Sequence, residues 1–142
     1  VQRSLIPVFL MPLALLSLDA SAGQYIQLKT ATATYRVEVA RTPMARRRGL
    51  MMRDRLDRSS GMLLVYQQAD DHRIWMKNML IPIRAYWIDS DARVVAARRL
   101  EPCLELPCPV YSVAMPSLYV LELSDHEHDL KPGDRIEGLS DL

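Results

Sequence analysis

The chain has 142 residues, 49% of them apolar, and its 18 Lys plus Arg against 17 Asp plus Glu leave a formal charge of +1. One domain with a real core fits that length, with no need of metals to hold it. The near balance of charge excludes a global attraction to nucleic acid or to an anionic membrane, so any electrostatic partner has to be bound locally.

Residues Val1 to Ala22 read differently from the rest. Arg3 precedes an apolar run from Leu5 to Leu18, and Ala20-Ser21-Ala22 follows, which is the pattern of a secretory signal peptide cleaved after Ala22. A retained membrane anchor is the competing reading. The run is shorter than the roughly 20 residues a spanning helix needs and contains Pro7 and Pro12. Residues 23–142 are then a single β-rich domain, expected to be a soluble monomer in the periplasm or secreted.

Tyr25 to Lys29 and Thr34 to Ala40 alternate apolar and polar residues, so they are predicted to be two half-buried strands joined as a hairpin through Thr30 to Ala33. Thr42-Pro43 supplies an N-cap and a first-turn proline, and Gly49 a stop, which predicts a short helix from Pro43 to Arg48. Arg41, Arg46, Arg47, Arg48, Arg53, Arg55 and Arg58 gather there against Asp54 and Asp57 alone. Such a patch is either a solvated face or an anion site.

Met62 to Tyr66 is a continuous apolar run, predicted to be a central strand buried on both faces, and Gln67 to Arg73 a polar loop. Trp75-Met76-Lys77-Asn78-Met79-Leu80-Ile81-Pro82 follows, where Lys77 and Asn78 interrupt a stretch that otherwise favours burial. In an extended segment Trp75 and Lys77 share one face, so an aromatic ring and a cation can meet one ligand there. The structural alternative buries Trp75, lets Lys77 reach outward and turns the chain at Asn78.

Ile83 to Ile88 and Val94 to Leu100 flank the turn Asp89 to Arg93 as a second hairpin. Leu118 to Leu123 alternates again, Lys131-Pro132-Gly133-Asp134 fits a type II turn, and Asp134 to Gly138 is predicted to be a closing strand. The count of seven or eight short strands with one or two short helices predicts a mainly β fold, a compact barrel or sandwich.

Cys103 and Cys108 are the only cysteines. In an exported chain a local disulfide is the natural reading, with metal ligation or thiol chemistry as alternatives. Closing so small a loop stabilises by about 2 kcal/mol on the chain-entropy model, enough to fix a loop rather than to hold the fold.

The order of pieces resembles a widespread family of small prokaryotic domains of unknown function, the one numbered 192. The likeness runs from about Val37 to Gly138 and rests on Arg48-Gly49-Leu50-Met51, Gly61-Met62-Leu63, Trp75-Met76-Lys77-Asn78, Ile81-Pro82, Ile88-Asp89, Cys103 with Cys108, Tyr119-Val120-Leu121-Glu122 and Gly133-Asp134. It implies a mainly β barrel-like or sandwich fold, often behind an export signal, and brings no established activity. This chain departs from the family in carrying Arg84 where an acidic residue is common, and in a short Ser124 to Asp129 segment that holds His126 and His128.

The candidate binding residues are therefore Trp75, Lys77, Asn78 and Arg48, suited to a small polar ligand or an exported protein partner. No catalytic residue, cofactor or metal is assigned. His126 and His128 flank Glu127 but do not make a full ligand set, and the methionines are read as core. An enzyme using Asp89 and Glu122 as paired carboxylates is the alternative, although Glu122 alternates outward on its strand and Asp89 reads as a turn former. A purely structural accessory role is the third reading.

Overall fold

The computed structural model describes residues 23–142 apart from Glu127 and Asp129. The expected signal peptide, 1–22, lies outside the described residues, and among those described no helix is long and apolar enough to cross a membrane. Among the described residues eight strands form, β1 (Tyr25–Lys29), β2 (Thr34–Ala40), β3 (Ser60–Asp70), β4 (Ile74–Trp75), β5 (Ile83–Ile88), β6 (Val94–Leu100), β7 (Val110–Tyr111) and β8 (Ser117–Ser124). The described residues also form an α-helix, α1 (Pro43–Arg48), and a 3₁₀ turn at Leu139–Asp141.

Six strands make one mixed sheet in the order β1-β2-β3-β8-β5-β6, and β4 with β7 makes a second, two-stranded sheet. The six-stranded sheet is open, so the architecture is sandwich-like and the barrel alternative is set aside. The segment expected to be a closing strand, Asp134 to Gly138, makes only isolated bridges, Lys29 with Glu137 and Arg93 with Arg135. Its extended path is interrupted at both ends by Gly133 and Gly138, each at φ +96°. Gly133 is where a type II turn needs positive φ, and the Asp134 N–H closes that turn on Lys131 O at 3.0 Å.

β2 and β3 are parallel. A parallel pair needs a crossover, and here α1 and the loop to Ser59 supply it. Thr42 caps α1, its Oγ1 accepting from Ala45 N–H at 3.1 Å, and Gly49 ends it. The crossover delivers Leu50, fully buried, onto one face of the sheet, where Met62, Leu64, Met76, Met79, Ile83, Trp87 and Val120 form a core. A second core covers the opposite face, with Leu28, Val37, Leu63, Tyr86, Leu121 and Leu123 under Leu130, Ile136 and Leu139.

β3 runs through Gln67–Asp70, which polarity alone marks as loop. Its exposed end regains β8 after a register shift, Asp70 opposite Ser117. β3 also approaches β8 very closely at Gly61, where a Cβ would stand 2.2 Å from Glu122 O.

Candidate functional site

β4 pairs Ile74 with Tyr111 and Trp75 with Val110, and the chain that leaves it places Ile74, Met76 and Met79 in the core. Trp75 is 39% exposed, so it is not a core residue. Lys77 Nζ lies 5.5 Å from the Trp75 ring centroid, the shared face that the extended spacing predicts. Asn78 is exposed, at φ +59°. Its carbonyl accepts Met52 N–H at 2.9 Å. Asn tolerates that left-handed conformation better than most residues, so Asn78 turns the chain and fastens it to the crossover.

The neighbouring α1 ends in Arg46, Arg47 and Arg48. Arg46 donates to Val65 O at 3.0 Å and to Arg41 O. Its guanidinium lies 4.7 Å from the Tyr66 ring centroid, and Tyr66 stacks on His72 at 3.4 Å between centroids. Arg46 is thus a strut between helix and sheet. Among the described residues no acidic side chain pairs with Arg47 or Arg48.

Between α1, β4 and β7 the structure forms an open-mouthed cavity of about 380 Å³, within the roughly 300–1,000 Å³ range of small-molecule sites. Arg46, Arg47, Arg48 and Arg73 line it together with Trp75 and Val110. Leu64, Met51, Met76 and Met79 supply apolar wall, and Glu122 reaches it from β8. Of the four predicted binding residues, Trp75 and Arg48 meet in this cavity. Lys77 sits on the Trp75 ring and Asn78 holds the turn, but neither lines the space.

Glu122 is the residue that sequence reasoning misplaced. It does not point to solvent: it is 5% exposed, paired across the sheet with Met62 on one side and Ala85 on the other. Its Oε2 has no hydrogen-bond partner among the described residues. Burial pushes its carboxyl up to about 7, with the Arg53 charge pulling the other way. Arg53 is itself held by Glu38 at 2.6 Å. The Tyr66 hydroxyl is raised to about 12, first by burial and then by the Glu122 charge. A carboxyl that titrates near neutrality inside a cavity accepts a hydrogen bond when ionised and donates one when protonated.

The proposed Asp89–Glu122 pair does not form. Ala85 is the β5 residue opposite Glu122, and Asp89 lies four residues further along, about 13 Å at the rise of a strand. Asp89 is the turn former, accepting Asp91 and Arg93 N–H at 2.9 Å each. Three of the described methionines also leave the core reading: Met44 is 82% exposed and Met52 68%, on the crossover rather than under it, and Met115 is 42% exposed.

His126 and His128 turn inward to Ser124, His126 Nδ1 lying 3.0 Å from its Oγ and His128 Nε2 3.0 Å from its carbonyl. Burial holds the His128 imidazole below its ordinary value. Among the described residues no group of three or more His, Cys, Asp or Glu is placed to hold a metal. Arg84 faces Asp125 at 3.7 Å, so the reversed charge finds a partner in the shortened segment. Cys103 and Cys108 are disulfide-bonded with 5.6 Å between Cα atoms. Cys103 N–H donates to Met76 O at 3.2 Å, which fastens the loop before β7 to the stretch after β4.

The family model described as Uncharacterized ACR, DUF192, matches residues 26–138. The chain belongs to the DUF192 family. A crystal structure from Sinorhizobium meliloti 1021, of a protein described as a candidate transcription regulator, is 31% identical, with a TM-score of 0.72 over 82% of this chain and 94% of that one. A second, of a protein of unknown function from Novosphingobium aromaticivorans, is 28% identical, with a TM-score of 0.69 over 80% and 83% of the two chains. No curated protein matches. For this DUF192 domain the family fixes fold and leaves activity open.

Proposed function

We propose that this DUF192 domain binds a small organic anion in the cavity between α1 and the β4–β7 pair, and that it works outside the cytoplasm. The observation that carries the reading is the meeting of Arg47 and Arg48, without acidic partners among the described residues, with the Trp75 ring around one cavity of about 380 Å³. Guanidinium groups recognise carboxylate and phosphate oxygens through paired donors, and an aromatic and thioether wall takes the apolar body. Lys77, over the Trp75 ring, adds positive charge on that side.

A location outside the cytoplasm is supported by the leader-like Val1 to Ala22 and by the Cys103–Cys108 bond, a linkage that persists in oxidising compartments. The description of the Sinorhizobium meliloti protein is not extended to this chain. A nucleic-acid role calls for a basic stripe, whereas here three arginines of α1 surround a cavity and the formal charge is +1.

The test is a thermal-shift and NMR titration of the protein with small carboxylates and phosphates. Saturable binding should be lost in the double variant Arg47→Ala/Arg48→Ala and in Trp75→Ala, while Lys77→Ala weakens it less. Undiminished binding in the first two would move the site elsewhere. Export is read separately, from whether the periplasmic protein begins after Ala22 and carries the oxidised cysteine pair.

A further inference from the structure

The arginines and Trp75 account for the mouth and walls of the cavity but leave its floor unexplained. Glu122 is there, on the middle strand of three, with Met62 and Ala85 as its cross-strand neighbours. It is the only carboxylate among the described residues that line the cavity. Its Oε2 is buried and lacks a hydrogen-bond partner among the described residues. A buried acceptor left unsatisfied costs about 1–3 kcal/mol, and more when charged, a cost that a donor reaching it would offset.

The residue above it is one that places no side chain against that oxygen. Gly49 ends α1 at φ +48°, and even a Cβ there would stand 3.3 Å from Oε2. The charges around Glu122 do not neutralise it by contact: Arg53 is paired with Glu38, and Arg46 is spent on Val65 O and the Tyr66 ring.

Resting on the anion-binding reading above, we infer that the ligand is a small organic acid whose far end carries an N–H or O–H donor, and that Glu122 Oε2 receives that donor at the cavity floor. The acid group faces the arginines and the apolar body lies along Met51, Met76 and Met79. An amino acid and a hydroxy acid share this chemistry. A plain anion leaves the floor oxygen unpaired, and a plain cation meets the arginine-lined mouth.

The experiment titrates the protein with three series of straight-chain carboxylates of three to eight carbons: ω-amino, ω-hydroxy and unsubstituted. A hydrogen bond to a charged group predicts that the better donor series binds roughly ten-fold or more tighter than the unsubstituted acids. Whichever donor series gains more identifies the head group. The preference should vanish in Glu122→Met, which keeps volume and removes the acceptor, and should shrink in Glu122→Gln, which keeps a carbonyl. In the unmodified protein, the Glu122 carboxyl ¹³C resonance should move on binding of the donor acids and stay put with the plain ones, a readout that needs neither variant to fold.

Equal affinity for all three series, or a preference that survives in a folded Glu122→Met, overturns the inference while the anion-binding cavity stands. Saturable binding by none of the acids overturns both.

Discussion

Gly49 lies over the Glu122 carboxylate so closely that a Cβ built on it would stand 3.3 Å from Oε2. The residue that ends α1 and the residue at the floor of the cavity are therefore one local problem. The crossover required by the parallel β2–β3 pair has to turn sharply above a buried carboxyl, and Gly49 does so at φ +48°, ψ −133°, a conformation essentially restricted to glycine.

Gly49→Ala is accordingly expected to destabilise by about 1–3 kcal/mol, from the strained backbone and the crowding of Oε2 together. Urea unfolding should show a lower midpoint with an unchanged m-value. An unaltered midpoint would mean that the turn accepts another conformation and that its geometry is not tied to Glu122.

Glu122 also predicts how stability depends on pH. The ordinary carboxyl value is 4.5 and the folded value is raised to about 7, so between these the native state holds a proton that the unfolded chain has lost. Stability from this group is present below pH 4.5 and is lost as the pH rises through about 7, by roughly 3 kcal/mol in all. His128 works in the opposite sense, because burial lowers its value: its contribution is present above 6.5 and is lost as the pH falls toward that lowered value. The clean measurement is thus the difference between the unmodified protein and Glu122→Gln. Urea melts from pH 4.5 to 8 should show the glutamine variant gaining on the parent as the pH rises. A constant difference would show that Glu122 reaches solvent.

Trp87 supplies a third prediction. It is fully buried, and its Nε1–H donates to His72 O at 2.7 Å, which holds the His72 ring against Tyr66 beside the cavity. Trp87→Phe keeps an aromatic body but leaves that carbonyl without its donor, for a loss of about 1–3 kcal/mol. Since the chain has 2 tryptophans, the variant also leaves Trp75 as sole reporter. Its emission should be readily quenched by acrylamide and protected when an acid occupies the cavity. Emission insensitive to a bound acid would remove Trp75 from the site.

The pattern of residues in the sequence carries most of the strand layout because alternation, caps and turn residues act locally. β1, β2, α1, β5 and β6 lie where Tyr25–Lys29, Thr34–Ala40, Pro43–Arg48, Ile83–Ile88 and Val94–Leu100 place them. Glu122 was illegible for a physical reason. Alternation gives the period of β8 but not which side is water, and here both sides are protein: Leu121 and Leu123 enter one core and Val120 the other, on the Glu122 side. An acidic residue inside the run Val120 to Leu123 was the available signal. The parallel β2–β3 pairing, which brings the arginines of α1 over that face, depends on contacts distant in sequence that no local pattern encodes. Trp75 and Lys77, two residues apart, were predicted to share a face because that relationship is local.

The disulfide makes a final prediction about where its effect is felt. Cys103 and Cys108 close a small loop, with a sequence separation of 5, so losing the bond costs only about 2 kcal/mol on the chain-entropy model. The loop lies directly before β7, and β7 and β4 hold each other through only two residue pairs, Ile74 with Tyr111 and Trp75 with Val110. The six-stranded sheet has no such dependence. Cys103→Ser/Cys108→Ser should therefore fold, with a modestly lower melting temperature. Hydrogen exchange should quicken at β4, at β7 and at the Cys103 position, whose N–H is bonded to Met76 O, while β3, β5 and β8 keep their protection. Because Trp75 and Val110 both line the cavity, acid binding should weaken in step with that local loosening. Uniformly faster exchange across the large sheet would instead make the bond a global staple, and unchanged exchange at β4 and β7 would show that it does not brace the cavity wall.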